Sequence, residues 1–556
     1  MIVLVVLVVL SLAAYQFNEL MISEARAADS YRRAIQARAF AESGGIYVMS
    51  VLSDANAFSG FLNSNPFDNP AFSGTIVAPN DNPNLQGRFL IIAPMDPDDQ
   101  SGGGKQYRNG VVDESGKFNI NALMKLDPSG TILYNVLMLL PNMTDEIANS
   151  IIDWIDADDT PRPNGAESDY YSSLSPPYQA KNGPLDSIEE LLFVKGVTPQ
   201  LLYGNDLNRD GIFEPEEDDG SGAFNPGWAG YLTIYSREQN VDSTGAPRIF
   251  VNGSDLQGLY NQLSTTLSQD LATYIVAYRM YGPAATPSGP SGAAGSGASG
   301  GTSGGNNSSP NSGKPTTPAS PMKPTTPSAG GGGMAGGATG TGGAVSSGAM
   351  GGTGNRTTAP VSMSSLGNLS QAQPKPIASL YELINSSVSI PSSTPNGQPT
   401  LLPSPLTTST LATLLPEVLD KLTTVNGGEI PARVNMLTAP RAVLAAMPGL
   451  AESDVQNILS SRPGSSSIDG SDTSYQTPAW LITHANVNPK TLQSLDRYIT
   501  SRTQVYRVQS LGYFDRGGPT ARIEAVFDTN NGRPRMLYWR DITELGKGFN
   551  PQQNNQ

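Results

Sequence analysis

Asp206, Asn208, Asp210, Glu214 and Glu217 stand at spacings that let one stretch of backbone wrap a cation. With Asp206 as position 1, oxygen-bearing side chains fall at 1, 3 and 5, Gly211 at 6, Ile212 at 7, Glu214 at 9 and Glu217 at 12. The glycine permits the sharp turn, Ile212 offers its carbonyl, and Glu217 can bind through both oxygens. A hard ion taking about seven oxygens suits this pattern, so Ca²⁺ is the expected ligand. The competing reading is a solvated acidic turn. Pro215 limits the helix that follows, so a lone structural site is expected rather than a switching pair. Asp153, Asp156, Asp158 and Asp159 form a second acidic group and a candidate second cation site. That spacing is less specific, and a solvated acidic helix end is the favoured reading there.

Other chemistry is largely excluded. His484 is the single histidine and there is no cysteine, so neither a His-based triad nor a multi-His zinc site can be assembled. His484 itself reads as a half-exposed residue near a helix start. Glu189 and Glu190 are adjacent, and neighbouring helical residues point in different directions, which places them poorly for flanking one substrate. No catalytic residue is assigned and no enzyme activity is expected. Between Pro141 and Gly220 there are eighteen acidic residues against four basic ones, within a net charge of −15. That concentration opposes nucleic-acid binding and favours a cation.

The elements that position these residues begin with a stalk. Met1–Tyr15 is apolar apart from Ser11, and it passes without Gly or Pro into the polar, alanine-rich segment Gln16–Glu42. Alanine favours helix, and a helix of that length reaches roughly 60 Å. A removed signal peptide would carry a basic start and a cleavage site; a spanning helix needs about 20 apolar residues. A prepilin-type segment, apolar and then amphipathic, fits best, with the chain expected to begin downstream of its natural start or cleavage point.

Gly44–Gly45 and the stretch to Pro83 read as turns around short elements. Arg88–Pro94 and the neighbourhood of Gly110–Val112 read as strands. A repeated helix, tight corner, helix unit follows. Phe118–Leu123 opens the first copy, Leu139–Thr144 is its corner and Asp145–Asp156 its return helix. Ser187–Tyr203 turns at Val194–Pro199. Val434–Pro440 opens another copy, cornering at Met447–Leu450 and returning through Glu452–Arg462. Trp480–Tyr498 is a weaker fourth. This is a helix-hairpin-helix pattern, with packing favoured over DNA binding as its role. Gly230–Arg237 and Arg248–Asn252 read as strands, and Ser254–Arg279 as one amphipathic helix.

From Gly282 to about Pro376 the chain is Gly/Ser/Pro/Thr-rich, without one aromatic or acidic residue, so it is expected to be a disordered spacer. Tyr506–Phe514, Thr520–Asp528 and Pro534–Arg540 alternate apolar and polar residues and predict an antiparallel meander. The expected divisions are a stalk at 1–45, the first part of a head at 46–117, a helical insertion carrying the cation loop at 118–228, and strands with an amphipathic helix at 229–282. The spacer follows at 283–376, a second hairpin region at 377–503, and a meander completing the head at 504–546. The fold class is α+β: a pilin-like N-terminal helix with an antiparallel sheet, interrupted by a large helical, helix-hairpin-helix-like insertion.

The stalk, Phe118–Leu123, Ile152–Asp158, Asp169–Tyr171 with Pro176–Tyr178, Val434–Pro440, Met447–Leu450 and Tyr538–Asp541 resemble general secretion pathway protein K. That protein is the large minor pseudopilin of type II secretion. The family lacks the acidic residue other pilins carry near the stalk's start, and here no charged side chain precedes Glu19. The resemblance implies a non-enzymatic subunit at the tip of a periplasmic pseudopilus, initiating or capping its assembly. It would be held by a single span in the inner membrane with its bulk in the periplasm. The implied partners are the minor pseudopilins I and J, the major pseudopilin, the inner-membrane assembly platform and exported cargo. The alternative is a membrane-anchored helix-hairpin-helix protein that binds nucleic acid.

Overall fold

The computed structural model describes residues 1–284 and 362–549, except 97, 100–104, 393, 395–396, 468–471 and 547. The expected spacer therefore lies largely outside the described residues. One helix, α1 (Ile2–Ser53, 52 residues), begins the chain and extends about 78 Å. It is long and apolar enough to cross a membrane, with a mean hydropathy of 1.9 over its most apolar 18-residue window. Its first half projects free, and burial begins at Ala37.

From Ala37 onward α1 lies on a sheet built from both ends of the chain. In spatial order the long strands are β1 (Thr75–Ala78), β2 (Gly87–Pro94), β3 (Val505–Phe514), β4 (Ala521–Asp528) and β5 (Arg535–Asp541), all antiparallel to their neighbours. β2 pairs β3 directly, Ile92 opposite Gln509 and Gly87 opposite Phe514. Residues 95–504 are thus inserted between two hydrogen-bonded neighbours.

The two-residue period sorts the strands onto two faces. Phe89, Ile91, Val508, Ile523, Ala525 and Phe527 meet Ala37, Phe40, Ala41, Val48 and Leu52 of α1. Leu90, Ile92, Leu511, Val505 and Val526 turn the other way and meet the insertion.

Gly44 and Gly45, expected in a turn, lie inside α1. A Cβ on Gly44 would come 2.2 Å from Ser510 Oγ, and one on Gly45 would come 3.0 Å from Ile523 Cδ1. Helix and sheet approach closely only because both lack side chains, and that packing overrides glycine's helix penalty of about 1 kcal/mol each.

The insertion has one continuous core running in sequence from Phe118 to Ile499 and including Trp154, Trp228 and Trp480. Its first helices are α2 (Ile120–Leu126), α3 (Thr131–Leu137) and α4 (Asp145–Ile155). Asn119 caps α2 by accepting from Ala122 N at 2.9 Å. Two short parallel ladders, Phe118–Asn119 with Leu232–Thr233 and Val434–Asn435 with Ile499–Thr500, precede the openings that repeat in the sequence.

Strand formation is briefer than expected at 230–237 and 248–252, where only Leu232–Thr233 and Ile249–Phe250 pair, each with a two-residue partner. The helix expected over 254–279 is two, α5 (Leu256–Thr266) and α6 (Gln269–Tyr281). The break falls at Ser268, whose hydroxyl accepts from Leu271 N and caps α6. Residues 362–376, expected in the spacer, pack on this pair: Leu366 is buried and its carbonyl takes the Tyr281 hydroxyl at 2.5 Å.

Candidate functional site

The Asp206–Glu217 loop sits on the sheet face opposite α1. Ile212 is buried among Leu90, Ile92, Leu511 and Phe549. Gln509 Nε2 donates to Arg209 O at 2.6 Å, and Arg522 Nη1 donates to Asn208 O at 3.0 Å. Gly211 holds a φ of +74°, and a Cβ there would come 2.8 Å from Pro94.

Backbone N–H groups turn the acidic side chains inward. Asp206 Oδ1 accepts from Asp210 N at 3.1 Å and its Oδ2 from Gly211 N at 3.0 Å. Glu217 Oε1 accepts from Leu207 N at 2.8 Å and Asn208 N at 3.2 Å. Asn208 Nδ2 donates to Glu214 Oε2 at 2.9 Å. Hydrogen bonds thus tie Asp206, Asn208, Asp210, Glu214 and Glu217 into one turn, although no three of its carboxylates converge within 4.8 Å as those of the second acidic group do.

Two oxygens, Asp210 Oδ2 and Glu217 Oε2, are buried without a hydrogen-bond partner among the described residues. Burial, then Asp210 and Glu217, push the Asp206 carboxyl up to about 7, and burial also raises Asp210 and Glu214. Orphaned carboxylate oxygens at a crowded acidic turn fit a hard divalent cation, which would satisfy them and relieve their repulsion.

The second acidic group is rearranged relative to its sequence spacing. Asp156 and Asp158 converge with Glu167, one oxygen from each lying within 4.8 Å of the others. Asp153 and Asp159 turn elsewhere. Asp153 is fully buried and accepts from Arg162 N at 3.1 Å. Asp159 Oδ1 accepts from Asn182 Nδ2 at 2.9 Å and Ser168 Oγ at 3.2 Å. Both oxygens of Glu167 are buried and partnerless among the described residues. Burial, then Asp153 and Asp156, push its carboxyl up to about 7. Sequence reasoning missed Glu167 because it arrives from the far side of a Pro- and Gly-bearing loop. A carboxylate just before Ser168–Ser172 was the only signal.

A third constellation, also missed, fastens the insertion to the sheet. Asp113 Oδ2 accepts from Asn435 Nδ2 (2.8 Å), Thr438 Oγ1 (2.6 Å) and Thr503 Oγ1 (2.7 Å). Next to it Glu114, fully buried, takes Arg507 Nε at 2.7 Å, and Arg507 reaches Glu524 at 3.0 Å.

The remaining candidates behave simply. Glu190 pairs with Lys181 at 2.8 Å, whereas Glu189 faces Arg209 at 3.7 Å, so the two diverge. His484 is exposed and follows the helix Trp480–Thr483 rather than starting one. All four expected corners place a left-handed residue at the same point: Asn142 (φ 59°), Gly196 (81°), Gly449 (85°) and Asn486 (54°). Two positions later Thr144, Thr198 and Asn488 cap the next helix with their side chains.

These features define an α+β protein in which a long N-terminal helix packs on an antiparallel sheet and an acidic insertion divides that sheet's chain. Residues 116–203 match the family described as type II secretion system (T2SS), protein K. Among curated relatives, a putative type II secretion system protein K of Escherichia coli K12 is 38% identical over 95 residues, 15% of this chain and 29% of that one. The type II secretion system protein K of Pectobacterium carotovorum is 32% identical over 111 residues, 18% and 34% of the two chains. That of Pseudomonas aeruginosa is 33% identical over 110 residues, 18% and 33%. The chain thus spans about a third of the length of the curated relatives it matches. A crystal structure of the GspK-GspI-GspJ complex from enterotoxigenic E. coli aligns over 93% of this chain and 99% of that one, with 13% identity and a TM-score of 0.34. Residues 116–203 are thus similar to protein K of type II secretion systems.

Proposed function

We propose that the protein is a non-enzymatic minor pseudopilin that sits at the tip of a type II secretion pseudopilus and initiates or caps its assembly. The observation that carries this reading is the stalk. Residues of α1 from Ile2 to Leu20 include many large apolar side chains exposed to solvent, a surface fitted to lipid and to other apolar stalks rather than to water. Above it, residues 95–504 are inserted into the head between two paired strands, and an added bulk of that kind supports an end position with no subunit stacked over it. The partners are the I- and J-type minor pseudopilins and then the major pseudopilin and assembly platform. The site is the inner membrane, with the head in the periplasm and within reach of exported cargo.

In this reading Ca²⁺ is a structural ion, bound by Asp206, Asn208, Asp210, Ile212 O, Glu214 and Glu217. The orphaned oxygens of Asp210 and Glu217 support it. A second ion is held by Asp156 and Asp158 with Glu167. The helix-hairpin-helix corners serve packing: Met447 is buried, and Glu452 and Asp454 follow the Met447–Leu450 corner, which opposes a phosphate backbone there. The test is co-expression of the full chain with I- and J-type minor pseudopilins, followed by purification through a tag on this chain. A ternary complex is expected. A chain that purifies alone from cells containing both partners overturns the assignment.

A further inference from the structure

Away from the sheet, a partly open cavity of about 370 Å³ lies within the insertion, between the segments around residues 248, 380, 425, 433, 477 and 500. Its lining is unusual for an acidic protein. Arg248, Arg433, Arg497 and Arg502 all border it, with Tyr381 and Thr477.

The charges there are unevenly shared. Arg497 is exposed to solvent, which leaves Arg248, Arg433 and Arg502 with Glu238, Asp420 and Asp496, the last also lining the cavity. Arg433 takes both oxygens of Glu238, at 2.8 and 2.5 Å. Arg248 is left 3.8 Å from the same carboxylate through Nη1, and its Nε donates only to a backbone carbonyl, Asp420 O, at 3.1 Å. Asp420 is shared in turn by Arg502, Ser243 and Lys421. Lys421 and Asp242 close a pair of their own at 2.7 Å. Asp496 is itself pushed toward its neutral form by burial, despite Arg433. Burial, then Arg502, lowers the Arg248 guanidinium to about 10, and Glu238 only partly offsets this.

Two hydroxyls add an independent sign. Tyr381 is fully buried and Thr477 is 4% exposed, and neither hydroxyl has a hydrogen-bond partner among the described residues. A buried, unpaired hydroxyl costs about 1–3 kcal/mol, and here two border a cavity that has room for a partner. A guanidinium short of anions beside two idle hydroxyls is a recognition set for an oxyanion.

We propose that this cavity binds a small oxyanion, seated against Arg248 and hydrogen-bonded by the hydroxyls of Tyr381 and Thr477. The acceptor chemistry is shared by tetrahedral anions and by carboxylates. The volume exceeds what a lone tetrahedral ion fills, so the ligand has a short organic body. The site is separate from both acidic clusters and does not depend on the pseudopilin reading.

The test uses the full chain in detergent with calcium present and ionic strength held constant with chloride. Sodium sulfate and sodium succinate are titrated calorimetrically. Saturable binding of either is expected; succinate binding tighter than sulfate assigns the carboxylate source, and the reverse order the tetrahedral one. Arg248→Leu should weaken binding at least about tenfold, as expected for losing one charge-assisted contact. Arg248 also supports the fold, so Tyr381→Phe and Thr477→Val supply the second reading. Each removes a hydroxyl that no described residue uses, so thermal stability without anion should hold while affinity falls. No saturable binding of either anion, or binding unchanged in all three variants, overturns the proposal.

Discussion

Replacing Glu114 by Gln tests whether the insertion is locked to the sheet by buried charge. The Glu114 carboxylate is fully buried. It accepts from Arg507 Nε at 2.7 Å and from the Thr233 hydroxyl, and lies 3.5 Å from Lys117. Burial alone would push this carboxyl up; Arg507, then Lys117, overcome burial and hold it at about 2, against an ordinary 4.5. A displacement of that size corresponds to about 3 kcal/mol favouring the charged form in the folded state. Breaking a buried pair by removing one partner costs about 3–5 kcal/mol by mutational experience, so the two routes agree. The folded protein binds this proton less readily than the unfolded chain does. The contribution is therefore fully present above pH 4.5 and is lost as the pH falls from there through about 2. The assay is urea unfolding of the full chain, wild type against Glu114→Gln, in steps from neutral pH downward. The stability difference should be about 3 kcal/mol at neutral pH and shrink towards zero on acidification. A difference under about 1 kcal/mol, the size of an exposed pair, would refute the reasoning, as would one that stays constant with pH.

Asp206→Ala combined with Glu217→Ala should abolish calcium-dependent thermal stabilisation, which in the wild type reaches about 4 kcal/mol at free calcium a thousandfold above Kd. A double mutant that still melts higher with calcium than with chelator sinks the loop assignment. Glu167→Gln should lower the calcium stoichiometry measured calorimetrically from two ions to one, and an unchanged stoichiometry would show that Glu167 ligates nothing. In Gly512→Ala the new Cβ would lie 2.0 Å from Ala37 O and 2.5 Å from Ala41 N of α1. Those are backbone atoms that cannot rotate away, so a loss of about 3 kcal/mol is expected. Gly60→Ala meets nothing within 4 Å and should stay within about 1 kcal/mol of wild type; equal stabilities for the two variants would contradict the packing described here.

What was legible in the sequence follows from which interactions are local. The turn at 206–217 was readable because its side-chain acceptors and N–H donors belong to the same dozen residues. The corners were readable because a left-handed position followed two residues later by a helix cap depends on residue type alone, as at Asn142–Thr144 and Gly196–Thr198. The second acidic cluster was only half readable: Asp156 and Asp158 are close in sequence, but Glu167 reaches them through the fold. The helix end at Ser53 was missed because the reason Gly44 and Gly45 stay helical lies on the strands they pack against, at Phe89, Ser510, Ile523 and Trp539.

The sheet shows the limit most clearly. Alternation in Tyr506–Phe514 and Thr520–Asp528 separates two faces, yet alternation cannot say what covers the polar one. On β3 and β4 that face carries Arg507, Gln509, Arg522 and Glu524, which as sequence read like solvent-facing positions. In the folded protein they are the junction. Gln509 and Arg522 hold the backbone of the cation loop, and Arg507 binds Glu114 while Glu524 takes its other arm. A sheet covered by a helix on one side and by its own insertion on the other needs polar groups buried on the second face, because loops arrive there with unpaired carbonyls and acids. The alternation that marks half-buried strands in a simple meander here marks a contact surface, and only the neighbours from residues 113–114 and 206–217 reveal the difference.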